Sequence, residues 1–207
     1  MHTGLEKGVE AAIKEYYNEF FIITDRHIEE AMKLESLIPK AKKLVPDGEY
    51  EIKIEDEHFI GFIDLLAPTT VFKREVEVPN QYDIYDFKYS NNVDNYMDSK
   101  QLHLYKYFFE KNNPGKYIKN LYYLFVPKTS IRQKKTEDLN QFRMRLKGEI
   151  EELEPHLVQI EYDPEKVIEF MIDVKNVLEA KDFPKCESYL CNWCEFQQYC
   201  ESNGEID

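Results

Sequence analysis

The chain has few features of a membrane, secreted or fibrous protein. It holds no run of 18 or more apolar residues, so no membrane span is expected. Its first residues, Met1-His2-Thr3-Gly4-Leu5-Glu6-Lys7, lack the apolar core of a signal peptide, and a cytoplasmic protein is expected. There is no internal repeat and no low-complexity segment. Cysteine is missing from the first 185 positions; all four lie between Cys186 and the C-terminus. Positive charge is scarce as well. Lys and Arg total 27 against 40 Asp and Glu, a net charge of −13. That balance runs against phosphate binding by the surface as a whole.

What is present is enough for a substantial core. The 207 residues are 43% hydrophobic and 14% aromatic, which excludes disorder and favours one domain. Helical periodicity covers 2–21 (Leu5, Val9, Ala12, Ile13, Tyr16, Phe20), and Thr24-Asp25 opens a second helix to about Leu44. Pro46-Asp47-Gly48 is a turn. Strands are expected at 49–55, 58–66, 70–77 and 82–89, punctuated by Pro68 and Val78-Pro79-Asn80. A helix over 96–111, a strand from Tyr117 to Pro127, a helix near 137–153, a strand from His156 to Tyr162 and a helix from Asp163-Pro164 to Ala180 follow. The order αα-ββββ-α-β-α-β-α implies an α/β fold with a mixed central sheet flanked by helices. The expected domain runs over 1–182, with a cysteine-rich tail at 183–207.

Two strand segments carry charge among apolar residues. Gly61-Phe62-Ile63-Asp64 is followed 22 residues later by Asp86-Phe87-Lys88. Alternation puts Asp86 and Lys88 on one face and Phe87 on the other, toward a core. Two acids and an amine on apolar strands are costly to bury without a purpose, and a divalent cation supplies one. Asp64 and Asp86 are hard oxygen ligands suited to Mg²⁺ or Mn²⁺. Lys88 is placed to orient a water or offset phosphate charge. Read singly, Asp64 is equally a strand-end turn residue, and Asp86-Lys88 an edge-strand ion pair of little energy.

Gln101 and Tyr105 are four apart and share a helical face, either bracing such a site or forming an ordinary amphipathic surface. His103 points away from that pair and reads as structural. Gly61 marks a close approach to the backbone. The imidazole of His2 is a further candidate ligand. Between Lys128 and Lys147 lie seven basic residues: Lys128, Arg132, Lys134, Lys135, Arg143, Arg145 and Lys147. Against them stand only Glu137 and Asp138, for a net +5. This strip either tracks a phosphate backbone or is a solvated helix face. The cysteines read Cys186-x4-Cys191-x2-Cys194-x5-Cys200, a spacing that favours an iron–sulfur cluster or Zn²⁺ over disulfides.

Taken together these segments resemble the PD-(D/E)XK nuclease superfamily, and within it the RecB-like exonuclease branch with its CRISPR-associated RecB-like and AddB-type nuclease domains. That branch shows a histidine followed by Leu-Glu, then G-x-x-D, D-x-K and Q-x-x-x-Y. Here His2 with Leu5-Glu6, Gly61 to Asp64, Asp86 to Lys88, and Gln101 to Tyr105 stand in that order, and Cys191, Cys194 and Cys200 match the family's cysteine tail. The resemblance implies a restriction-endonuclease-like fold and a Mg²⁺- or Mn²⁺-dependent exodeoxyribonuclease. His2, Asp64, Asp86 and the Phe87 carbonyl would hold the metal. Lys88 would position water, while Gln101 and Tyr105 would brace the site or touch DNA. It also implies a [4Fe–4S] cluster, with Zn²⁺ as the alternative. In cluster-bearing relatives the first cysteine precedes the histidine motif; here Cys186 is the candidate fourth ligand. The implied partners are DNA, as single strands or duplex ends, and a helicase or recombination protein. A catalytically impaired DNA- or protein-binding module and a structural zinc protein are the competing readings.

Overall fold

A computed structural model of the chain describes residues 1–71, 76–182 and 185–202. Packing divides the chain into two units, Met1–Glu169 and Phe170–Asp207.

The first unit is built on a five-stranded sheet in the order β1-β2-β3-β4-β5. Its strands are β1 (Glu49–Asp56), β2 (Phe59–Val71), β3 (Val76–Tyr89), β4 (Tyr117–Val126) and β5 (His156–Ile160). β1, β2 and β3 form an antiparallel meander, β3 and β4 are parallel, and β5 returns antiparallel to β4. The sheet is thus mixed, as the element order implies. A parallel neighbour requires a crossover, and α4 (Asp94–Met97) with α5 (Gln101–Asn112) provides it between β3 and β4.

The N-terminal helical stretch is not one helix. It breaks into α1 (His2–Lys7) and α2 (Val9–Asn18) at Gly8, whose φ of 92° leaves the helical region. α3 (Asp25–Lys42) begins where Thr24-Asp25 indicates. The Thr24 backbone N–H donates to His27 Nδ1 at 3.1 Å, satisfying a terminal donor. α6 (Leu139–Glu151) opens on a reciprocal cap: Gln141 N–H donates to Asp138 Oδ1 at 2.8 Å, and Asp138 N–H to Gln141 Oε1 at 3.1 Å.

Four strands were expected in the hairpin region and three are present among the described residues. Pro68 and Pro79-Asn80 do not end strands. Between Pro68↔Tyr82 and Thr70↔Glu77 the register shifts by three residues, so Pro79 and Asn80 (φ 60°) are taken up in a bulge. A proline without an N–H is tolerated at such a place because no ladder bond is lost there. The expected strand at 70–77 falls partly on 72–75, outside the described residues.

Alternation along β3 and β4 sorts the two faces. Tyr85, Phe87, Leu124 and Val126 join Leu5 of α1, Leu37 and Ala41 of α3, and Phe142, Leu146 and Ile150 of α6 in one buried cluster. Asp86 and Lys88 therefore point to the opposite face, where α5 packs on β1, β3 and β4. The second unit begins within α7 (Glu165–Glu179). It also holds a 3₁₀ turn (Tyr189–Trp193) and α8 (Gln197–Glu201). Among the described residues no helix is long and apolar enough to cross a membrane.

Candidate active site

β2 and β3 stop pairing at Leu65↔Tyr85. The next cross-strand pair would be Asp64 and Asp86, and here the ladder is replaced by a side chain. Asp64 Oδ2 accepts the backbone N–H of Phe87 at 2.6 Å. The β2–β3 ladder ends at this point, at the two carboxylates that the sequence singles out.

Asp86 is 1% exposed. Lys88 Nζ lies 2.6 Å from its Oδ2, with the lysine side chain itself 15% exposed. The contact is a buried ion pair, and the Lys88 ammonium is the partner of Oδ2. Burial, and secondarily the charge of Asp64, push the Asp86 carboxyl up to about 6, against the opposing pull of Lys88. Lys88 Nζ donates to Gln101 Oε1 at 2.9 Å, and Gln101 Nε2 donates to Tyr105 Oη at 2.8 Å. The D-x-K and Q-x-x-x-Y segments are thus one polar chain from Asp86 to Tyr105. The sequence reading missed what surrounds the ammonium: the rings of Tyr96 and Tyr123 lie 5.1 and 5.5 Å from Nζ, within cation–π range. No spacing links those tyrosines to Lys88, because they reach it from a separate helix and strand.

Gly61 has a geometric reason. A β-carbon there would sit 2.7 Å from Cε1 of Tyr105. The close approach read from the strand is the approach of the Q-x-x-x-Y tyrosine. His2 also reaches the site, with Nε2 3.1 Å from Asp64 Oδ2. That hydrogen bond raises its pKa above the usual histidine value, opposed by burial. A proton shared with Asp64 occupies the nitrogen that would otherwise offer a lone pair. His103 is buried on another face of α5, where its Nδ1 accepts the Asp163 N–H at 3.1 Å.

The donor set suits a divalent cation. The buried Asp86 carboxylate, whose Oδ2 has only the Lys88 ammonium beside it, feels the charge of Asp64, and both are hard ligands. Mg²⁺ needs only one or two protein carboxylates, the rest being water and substrate phosphate. No group of three or more His, Cys, Asp or Glu side chains is gathered for a metal among the described residues.

The basic strip does not act as a unit. Arg145 donates to Glu137 Oε1 at 2.6 Å, Glu149 Oε1 at 2.6 Å and the Arg132 carbonyl at 2.9 Å. Arg143 pairs with Asp25 at 2.6 Å. Lys128, Arg132, Lys134, Lys135 and Lys147 are exposed. Within the second unit, Cys186, Cys191, Cys194 and Cys200 all line one cavity of about 460 Å³.

No curated protein sequence matches the chain. A solved structure titled "Putative exonuclease", from Eubacterium rectale, is similar in fold. It has 12% identity and a TM-score of 0.50, with 100% of this chain and 72% of that one covered. The family model described as the PD-(D/E)XK nuclease superfamily matches residues 6–201, from just after His2 to just past the last cysteine. With nearly the whole chain matched and the D-x-K carboxylate and lysine in contact where β2 and β3 part, this protein belongs to the PD-(D/E)XK nuclease superfamily.

Proposed function

We propose that this nuclease is a Mg²⁺- or Mn²⁺-dependent exodeoxyribonuclease of the RecB-like branch, acting on single strands or duplex ends. The observation that carries the reading is the meeting of Asp64, Asp86 and Lys88 at the parted ends of β2 and β3. The two carboxylates hold the cation, with the Phe87 carbonyl as a further donor and His2 as another once it gives up the proton it shares with Asp64. When bound, the cation polarises the scissile phosphate and lowers the pKa of a water. Lys88, which gives one N–H to Gln101 and lies against Asp86, uses its remaining N–H to orient the attacking water and offsets charge as the phosphate becomes more negative. Gln101 fixes the lysine, and Tyr105 fixes Gln101. Phosphoryl transfer asks for little beyond such positioning and neutralisation. Lys128, Arg132, Lys134 and Lys135 guide the strand, while Arg143 and Arg145 contribute less because carboxylates already engage them.

The reading is tested with end-labelled DNA in the presence of Mg²⁺ or Mn²⁺. Wild-type protein releases nucleotides from ends, and Asp86→Ala and Lys88→Ala abolish release. Cleavage that persists in both variants removes the assigned site. Internal nicks in circular DNA would replace the exonuclease reading with an endonuclease one.

The cysteine unit belongs to the same reading as a [4Fe–4S] cluster, or Zn²⁺, held by Cys186, Cys191, Cys194 and Cys200, which share one cavity. Anaerobically purified protein with a band near roughly 400 nm supports iron–sulfur thiolate ligation; colourless protein with stoichiometric zinc supports the alternative. Cytoplasmic action beside a helicase or recombination protein fits a nuclease of this branch.

A further inference from the structure

Beside the reactive end of the sheet lies a corner that the catalytic residues do not use. α2 ends and α3 begins there, and three rings meet. Phe20 and His27 stack with centroids 3.9 Å apart and planes 18° apart. Tyr16 stands edge-on to Phe20 at 5.2 Å and 72°. All three are partly exposed. The connection that follows Phe20 buries almost nothing: Phe21 is fully exposed and Ile22 is 76% exposed. Adjacent large apolar side chains in water mark a surface with a partner.

The rings form one wall of a cavity of about 490 Å³ that also touches Met1 and Tyr89, the neighbours in sequence of His2 and Lys88. A second cavity of about 730 Å³ adjoins it, sharing Arg26, Glu30 and Lys128, and runs along α3 and residues 128–133 to Arg132. Its far wall is fixed. Asn91 Nδ2 donates to the Lys128 carbonyl at 2.7 Å while its Oδ1 accepts the Lys128 N–H at 2.9 Å, and Lys33 Nζ donates to the Thr129 carbonyl at 2.8 Å.

The charges decide what fits. Glu30 is taken up by the Tyr89 hydroxyl at 2.5 Å and by Lys33 at 3.0 Å, and Asp25 by Arg143. Arg26 and Arg132 make no ion pair among the described residues, and Lys128 lies over the Tyr89 ring at 5.6 Å. Three cations against Glu29 leave the groove positive on a chain of net charge −13. A row of cations beside partly exposed rings suits a polymer with phosphates along one side and flat bases along the other. A duplex hides its base faces by stacking, so the unpaired strand is the form these rings can hold.

We propose that this groove is a single-strand subsite. Bases stack on Tyr16, Phe20, Phe21 and His27. Phosphates follow Arg26, Lys128 and Arg132 past Tyr89, near the end of the strand that carries Asp86. The inference rests on the nuclease reading for the direction of the strand, but its binding step does not need cleavage.

The test is fluorescence anisotropy of the full chain with a labelled single-stranded oligonucleotide and a blunt duplex of equal length, in EDTA. The single strand should bind more tightly. Phe20→Leu keeps apolar packing but removes the stacking face, and should weaken single-strand binding on the order of ten-fold; Phe20→Tyr should restore it. Phe21→Ser, at a fully exposed position, should weaken it without altering the melting curve. Arg26→Ala with Lys128→Ala should flatten the salt dependence by roughly two counterions. Single-strand affinity unchanged in both Phe20→Leu and Phe21→Ser overturns the proposal. So does light scattering that shows a dimer of this chain dissolved by Phe21→Ser with DNA binding intact. Ring-dependent binding by a wild-type protein that cuts nothing with Mn²⁺ would sink the nuclease reading and leave this one standing.

Discussion

The ring of Tyr105 occupies the space that a side chain on Gly61 would need, its Cε1 lying 2.7 Å from the position of the missing β-carbon. Two motifs 44 positions apart are therefore one packing contact, and the tyrosine it seats is the end of the chain Lys88–Gln101–Tyr105. Gly61→Ala should destabilise the protein by about 1–3 kcal/mol, the usual cost of overpacking. It should also lower cleavage by displacing Gln101 and with it Lys88. Urea unfolding and cleavage rates of Gly61→Ala, Tyr105→Leu and the double variant check the coupling. The double variant should be less destabilised than the sum of the two single changes, since Leu vacates the contested space. Strict additivity would show that the contact carries no strain.

Lys88 has a structural duty beside the chemical one proposed for it. It is the partner of the buried Asp86 carboxylate. Lys88→Met should remove cleavage by at least about 100-fold, as loss of one preorganised donor does elsewhere. Stability without added metal should fall, by at most about 3–5 kcal/mol, because the buried Asp86 must either stay charged without its partner or take up a proton. Adding Asp86→Asn to Lys88→Met should recover part of that stability and none of the activity. Denaturation midpoints of the three variants separate the two duties.

How far the site was legible in the sequence depended on distance along the chain. Asp86 and Lys88 share a face because strands alternate, and Gln101 and Tyr105 because helices turn, so local spacing was enough. The glycine at position 61 was readable as a close approach, but not what approaches. The meander was misread because Pro68 and Pro79-Asn80 carry the residue types of turns; a three-residue register shift absorbs them within two long strands. The N-terminal periodicity concealed a break because Gly8 leaves the apolar stripe intact while reversing φ. The Phe20-Phe21-Ile22-Ile23 run carried a signal of its own: four apolar residues between the end of one helix and the cap of the next. The cage of Tyr96 and Tyr123 around Lys88 left none.

The basic strip should divide when tested residue by residue. Arg132 is exposed and makes no ion pair among the described residues, whereas the Arg145 guanidinium is held by Glu137 and Glu149. This pairing holds the Glu137 carboxyl down to about 2, with the Arg145 contact as the main cause. Arg132→Ala should reduce the slope of log affinity against log salt by about 1, and Arg145→Ala should leave it near wild type. Equal loss of slope in both would mean that the Arg145 ion pairs open to phosphate.

His103 gives the fold a pH dependence of predictable sign. It is buried, and burial, helped by the charge of Lys166, lowers its pKa below the ordinary histidine value of 6.5. Above that value both folded and unfolded chains carry the ring neutral, and no contribution arises. As pH falls below about 6.5 the unfolded chain takes up a proton that the folded protein refuses, so stability drops. The loss continues until pH passes the lowered folded value, with a slope of at most about 1.4 kcal/mol per pH unit. His103→Asn keeps an acceptor for the Asp163 N–H but does not titrate. The difference in unfolding free energy between wild type and His103→Asn, measured from pH 7.5 to 5, should therefore be flat above about 6.5 and move against the wild type below it. A difference that stays flat throughout would mean that the ring gains its proton as readily in the folded protein as in the open chain.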